Sequence, residues 1–102
     1  SLLQPKASIT RSKGKTARVR CVINTNDFDK LEVHWYRDGV SGGIQRILYI
    51  SVKSEPVRDP GFGDKFFAEN LSKVKTSLLD IRDVQESDAG VYYCAHWQSP
   101  PS

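Results

Sequence analysis

The residues able to do chemistry in this chain are few and widely spaced. Cys21, Cys94, His34 and His96 are its only cysteines and histidines. Two thiols can close a disulfide, or two thiolates and two imidazoles can hold zinc. Zinc ligands come in close pairs such as C-x-x-C or H-x₃₋₅-H, and neither spacing occurs. The disulfide is the better reading, with the metal site as its alternative. It would close a loop of 73 residues, stabilising the fold by about 4 kcal/mol at most through chain entropy. Such a bond belongs to an oxidising compartment. Gly14-Lys15-Thr16 has the ending of a phosphate-binding loop, but Ile9 stands where that motif needs glycine. No spacing of Asp, His and Ser picks out a triad. The expectation is therefore a protein that is not an enzyme and needs no metal or cofactor.

These residues must be positioned by a small domain. At 102 residues the chain is one domain, 1–102, burying about 60–70% of its unfolded surface. No apolar run reaches the roughly 20 residues of a membrane helix, and no charged-then-apolar leader opens the chain. Any membrane attachment is expected through segments outside these residues. The net charge of +3 is uneven: Lys6, Arg11, Lys13, Lys15, Arg18 and Arg20 all precede Asp27. A polyanion-binding patch is one reading. No aromatics interleave with these charges to stack bases, so a solvated sheet face is the simpler one and no nucleic-acid partner is expected.

Periodicity points to short strands with turns between them, an all-β sandwich. Ala17, Val19, Cys21 and Ile23 alternate with Arg18 and Arg20, as in a half-buried strand. Asn24–Lys30 is polar and turn-rich, and Val33–Arg37 forms a strand with Trp35 inward. Asp38-Gly39 opens a turn running through Gly43. Strands are expected over Ile44–Ser51, from Lys65, over Thr76–Ile81 and from Gly90 to about His96, with one helical turn at Val84–Asp88. Asn70-Leu71-Ser72 is an N-glycosylation sequon, expected in a turn between strands.

Cys21, Trp35 and the run Asp88-Ala89-Gly90-Val91-Tyr92-Tyr93-Cys94 together resemble an immunoglobulin variable-type domain. His34-Trp35-Tyr36-Arg37, Gln45-Arg46-Ile47, Gly63-Asp64-Lys65-Phe66 and Cys94-Ala95-His96-Trp97 are similar to the variable domain of a T-cell receptor gamma chain. The resemblance implies a two-sheet sandwich joined by Cys21–Cys94, with Trp35 packed on the disulfide. Tyr92 would bond back to backbone as a tyrosine corner, and Lys65 would pair with Asp88. It implies a partner surface at Tyr36, Asp38, Tyr49 and Tyr93, facing a delta-chain variable domain. Asp38 stands where antibodies carry a glutamine that bonds its counterpart, so a different partner group, or none, is implied.

The implied ligand end comprises the loops 24–31, 51–58 and 95–102. Phe28, Glu32, Lys53, Glu55, Arg58, His96 and Trp97 are its expected contacts, with Trp97 at a loop tip as the anchor. The ligand would be a protein or non-peptide antigen on a cell surface, and the domain would be extracellular. His34 reads as structural, at the base of these loops. A V-set domain of an adhesion, inhibitory or costimulatory receptor is the alternative, and a polyanion-binding module the remote one. The family's joining strand, Phe-Gly-x-Gly, is missing after Cys94, where Pro100 and Pro101 make poor strand material. The final strand is therefore expected at an open edge, prone to self-association.

Overall fold

The computed structural model describes residues 4–9, 14–39 and 42–98. Eight strands fill these segments: β1 (Gln4–Ile9), β2 (Ala17–Val22), β3 (Leu31–Gly39), β4 (Ile44–Ile50), β5 (Val57–Arg58), β6 (Phe66–Leu71), β7 (Thr76–Ile81) and β8 (Gly90–Gln98). They form two antiparallel sheets, β1-β8-β3-β4-β5 and β2-β7-β6. The Cys21–Cys94 disulfide joins β2 of one to β8 of the other. Among the described residues, no helix is long and apolar enough to cross a membrane.

The core follows from alternation within each strand. Val33 and Trp35 of β3, Tyr92 and Cys94 of β8, Val19 and Cys21 of β2, and Leu79 and Ile81 of β7 are all buried. Trp35 lies opposite Cys94 across the β3–β8 ladder. Its indole N–H donates to Ser77 Oγ at 3.1 Å, which explains a fully buried serine on β7. A buried indole without that acceptor would lose about 1–3 kcal/mol.

The base of the sandwich is held by charge. Lys65 Nζ stands 2.7 Å from Asp88 Oδ2 and also donates to Asp83 O at 2.8 Å. Asp88 is 3% exposed, and its carboxylate also accepts from the Gln85 N–H at 2.8 Å, capping the 3₁₀ turn Glu86–Asp88. Tyr92 Oη donates to Asp88 O at 2.7 Å. Arg37 lies 3.8 Å from Asp88, its guanidinium over the rings of Phe62 and Phe66 at 5.2 and 5.8 Å.

Two expectations fail here. Over Gly90–Cys94 the edge of β8 is not open: β1 pairs with it antiparallel, from Gln4 opposite Cys94 to Ile9 opposite Gly90. Unpaired ladder groups are costly, and the chain's own first strand satisfies them. Pro5 is tolerated because β1 is an edge strand with an irregular register there. Over Gly90–Cys94, therefore, β8 offers no free edge for self-association. Asn70 lies in strand β6, not a turn, paired with Ser77. Its half-buried Nδ2 donates to Ile50 O at 3.4 Å, so a glycan there would have to displace that bond. The turn comes later, at Ser72–Val74.

Gly90 leaves no room for a side chain against β3. A Cβ at this position would lie 2.5 Å from Asp38 O and 3.1 Å from Gly39 Cα, and φ is +152°. Gly90→Ala should therefore lower stability by about 2 kcal/mol or more, measured by urea unfolding. An unchanged midpoint would show that the ladder yields at no cost.

Candidate functional site

The same alternation that buries Trp35 turns Glu32, His34, Tyr36 and Asp38 to the opposite face of β3. Register places them beside β8: Glu32 opposite Trp97, His34 opposite Ala95, Tyr36 opposite Tyr93 and Asp38 opposite Val91. On the other side His34 faces Tyr49, Tyr36 faces Arg46 and Asp38 faces Ile44. The result is an aromatic surface across the middle of the five-stranded sheet.

His34 is its hub. Its ring lies 5.2 Å from Tyr49 and 6.5 Å from Tyr36, both stacked, and Trp97 meets it edge-on at 4.5 Å. Such ring pairs contribute about 0.5–1.5 kcal/mol each beyond area burial. Arg46 Nη1 donates to His34 Nδ1 at 3.2 Å. A guanidinium can only donate, so Nδ1 accepts and the ring proton on Nε2 points at Glu32 Oε1, 3.0 Å away. Arg46 also grips Asp59 with two bonds, 2.7 and 2.9 Å, and lies over Tyr49 at 4.8 Å. Its pKa is raised, first by the hydrogen bond to Asp59. Burial pushes the Tyr36 phenol up, keeping it a neutral donor on the face.

The expected interface residues thus divide. Tyr36, Tyr49 and Tyr93 are half-buried on this face, and Asp38 stands at its lower end. His34, read as structural at the base of the loops, is 12% exposed and held by Glu32 and Arg46, in keeping with that reading, and it lies at the centre of the aromatic surface. Its parity with Trp35 was the available signal, because neighbours in a strand point to opposite faces. The Arg46–Asp59 pair carried no such signal, since it joins β4 to a residue beyond β5.

The ligand end departs further from expectation. Phe28 is 3% exposed and belongs to the core, because the 3₁₀ turn Phe28–Lys30 folds its ring inward. Arg58 is in β5, half-buried, with Nε donating to Phe66 O at 2.6 Å, so it ties β5 to β6. Trp97 is not at a loop tip. β8 runs on to Gln98, and the strand carries Trp97 onto the aromatic face, 41% exposed. Residues 99–102 of the expected third loop lie outside the described residues. Glu32 is engaged by His34, while Lys53 and Glu55 are exposed in the segment between β4 and β5. His96, on the side opposite Trp97, shares a groove of about 370 Å³ with Thr25, Asp27, Leu31, Trp97 and Gln98.

Of the basic first quarter, Lys6, Lys15 and Arg20 are exposed. Arg18 is paired with Asp80 at 2.8 Å, and Arg11 and Lys13 lie outside the described residues. Among the described residues no group of three or more His, Cys, Asp or Glu could hold a metal.

The family of immunoglobulin V-set domains matches residues 4–102. Among curated relatives, the human probable non-functional T cell receptor gamma variable 10 is 34% identical over 96 residues, spanning 92% of this chain and 81% of the relative. Human T cell receptor gamma variable 3 is 32% identical over 92 residues, covering 88% and 75%. A T-cell receptor gamma chain V region of Mus musculus is 27% identical over 96 residues, covering 94% and 71%.

Two outcomes follow from this geometry. A double-mutant cycle on Arg46→Ala and Asp59→Ala should give a coupling of about 1 kcal/mol, read by chemical denaturation; additive effects would mean the pair is idle. Burial lowers the His96 pKa. The unfolded chain then binds the proton more readily, so stability is full above the ordinary histidine range and falls as pH drops through it. His96→Gln should flatten that slope in thermal melts, and an unaltered pH profile would assign the slope to other groups.

Proposed function

The chain belongs to the immunoglobulin V-set family, and from that membership we propose that it serves as the variable domain of a T-cell receptor gamma chain. In this role it pairs with a delta-chain variable domain and meets a protein or non-peptide antigen on a cell surface through its loop end. V-set domains of this receptor kind are non-enzymatic, extracellular parts of membrane receptors. The gamma-variable relatives support an antigen-receptor domain; the choice of a delta partner comes from the resemblance of His34–Arg37 and Ala95–Trp97 to gamma chains.

One observation carries the pairing. His34, Tyr36, Tyr49 and Trp97 form a continuous aromatic surface on a rigid sheet, flanked by Ile44 and Val57, 49% and 45% exposed. Large, rigid rings bury much area at low entropy cost, which suits the core of an interface. Contact with antigen would fall to Lys53, Glu55 and the groove beside His96, where exposed polar groups adjoin Trp97.

Co-expression with soluble delta-chain variable domains should yield a one-to-one complex by size-exclusion chromatography with light scattering. Tyr36→Ala should weaken it by about 2 kcal/mol, as expected for a central aromatic. Failure of every delta domain in a representative panel to associate would refute the pairing.

A further inference from the structure

We propose that Asp38 selects the partner by taking a guanidinium or ammonium group that the partner domain presents to it. This deepens the pairing reading above and rests on it. Among the described residues, Glu32, Asp38, Asp59, Asp80 and Asp88 are the carboxylates withdrawn at least partly from water. Four of them have a nitrogen partner in the chain: Glu32 meets His34 at 3.0 Å, Asp59 meets Arg46 at 2.7 Å, Asp80 meets Arg18 at 2.8 Å and Asp88 meets Lys65 at 2.7 Å. Asp38 has neither an ion pair nor a side-chain hydrogen bond among the described residues.

Its position is fixed as firmly as theirs. Asp38 lies in the β3 ladder between Val91 and Ile44. Its carbonyl is the atom that Gly90 approaches so closely that no Cβ fits. The carboxylate therefore stands on rigid backbone at the lower end of the face, beside exposed Ile44 and one pleat from Tyr36, which faces Tyr93. A partner covering these apolar groups would strip the remaining water from Asp38. Burying an uncompensated carboxylate costs several kcal/mol, whereas a cation placed against it offsets the loss.

The upper half of the face makes a different demand. Glu32, His34, Arg46 and Asp59 satisfy one another's hydrogen bonds, and although neutral His34 leaves Glu32 its negative charge, that carboxylate already has a donor. The complementary surface is thus polarised. It is apolar or aromatic opposite His34, Tyr49 and Trp97, with one cationic side chain opposite Asp38, the part-buried carboxylate that has no donor among the described residues.

The test compares this chain with its Asp38→Asn and Asp38→Lys variants against a panel of delta-chain variable domains, by surface plasmon resonance at low and high sodium chloride. Folding should be unchanged in both variants, checked by thermal melts, because Asp38 makes no side-chain bond within the chain. Affinity for the delta domain should fall about tenfold with Asn and about a hundredfold with Lys. The wild-type affinity should weaken with salt and that of Asp38→Asn should not. Equal or tighter binding by Asp38→Asn would overturn the proposal while leaving the pairing intact. A loss without any salt dependence would also overturn it, pointing to a neutral donor. If the wild-type chain binds no delta domain, the pairing itself fails and the proposal falls with it.

Discussion

The ladder between β3 and β8 is the constraint on which the rest depends. Burying Trp35 opposite Cys94 fixes the register of these two strands, and a strand slipped by one residue would turn every side chain to the wrong face. With the disulfide attaching β8 to β2, that register cannot drift. Inward positions then carry Val33, Trp35, Tyr92 and Cys94, all buried. Outward positions carry Glu32, His34, Tyr36, Asp38, Tyr93 and Trp97. The aromatic face is thus the reverse side of the core, and its geometry inherits the rigidity of a close-packed interior.

Charge is arranged by the same economy of water. Where a carboxylate is deeply buried, as at Asp88, it is held by Lys65 and by a backbone N–H. Where an arginine crosses the outward face, as at Arg46, a fork-shaped contact with Asp59 fixes it and leaves a donor for His34. Arginine suits this site because its planar donors hold two partners at once, which a lysine could not do with the same geometry. The aromatic rings are thereby propped in place by polar groups that need nothing from a partner.

The parts of the structure legible in the sequence are those governed by period two. Trp35, the Cys21–Cys94 pair and the β7 span Thr76–Ile81 could be read because alternation and burial leave one consistent arrangement. The misread residues sit where local pattern competes with tertiary closure. Phe28 lies in a polar, turn-rich segment, yet a 3₁₀ turn folds it into the core. Arg58 and Asn70 looked solvent-facing, but each bonds a backbone carbonyl across the gap between elements, Phe66 O and Ile50 O respectively. Trp97 follows the second cysteine at a point where a loop seemed due, and pairing with Glu32 extends the strand past it. Nothing local encodes such long-range partners.

The β8 edge shows how backbone hydrogen bonding decides what side-chain patterns leave open. β1 contains Pro5 and an irregular register, and by propensity it is a weak strand. It still occupies the position beside β8, because unpaired amides and carbonyls along a core strand cost more than a distorted ladder. β8 is flanked on both sides over Gly90–Cys94, and the five-stranded sheet also presents a flat outward face. That face combines an aromatic half whose polar groups are hydrogen-bonded to one another with one carboxylate, Asp38, that has no donor among the described residues. Apolar area supplies attraction without discrimination, whereas a fixed charge rejects any surface that cannot answer it. In the proposed pairing, affinity and selectivity would therefore fall to different residues of the same strand, Tyr36 and Asp38, one pleat apart.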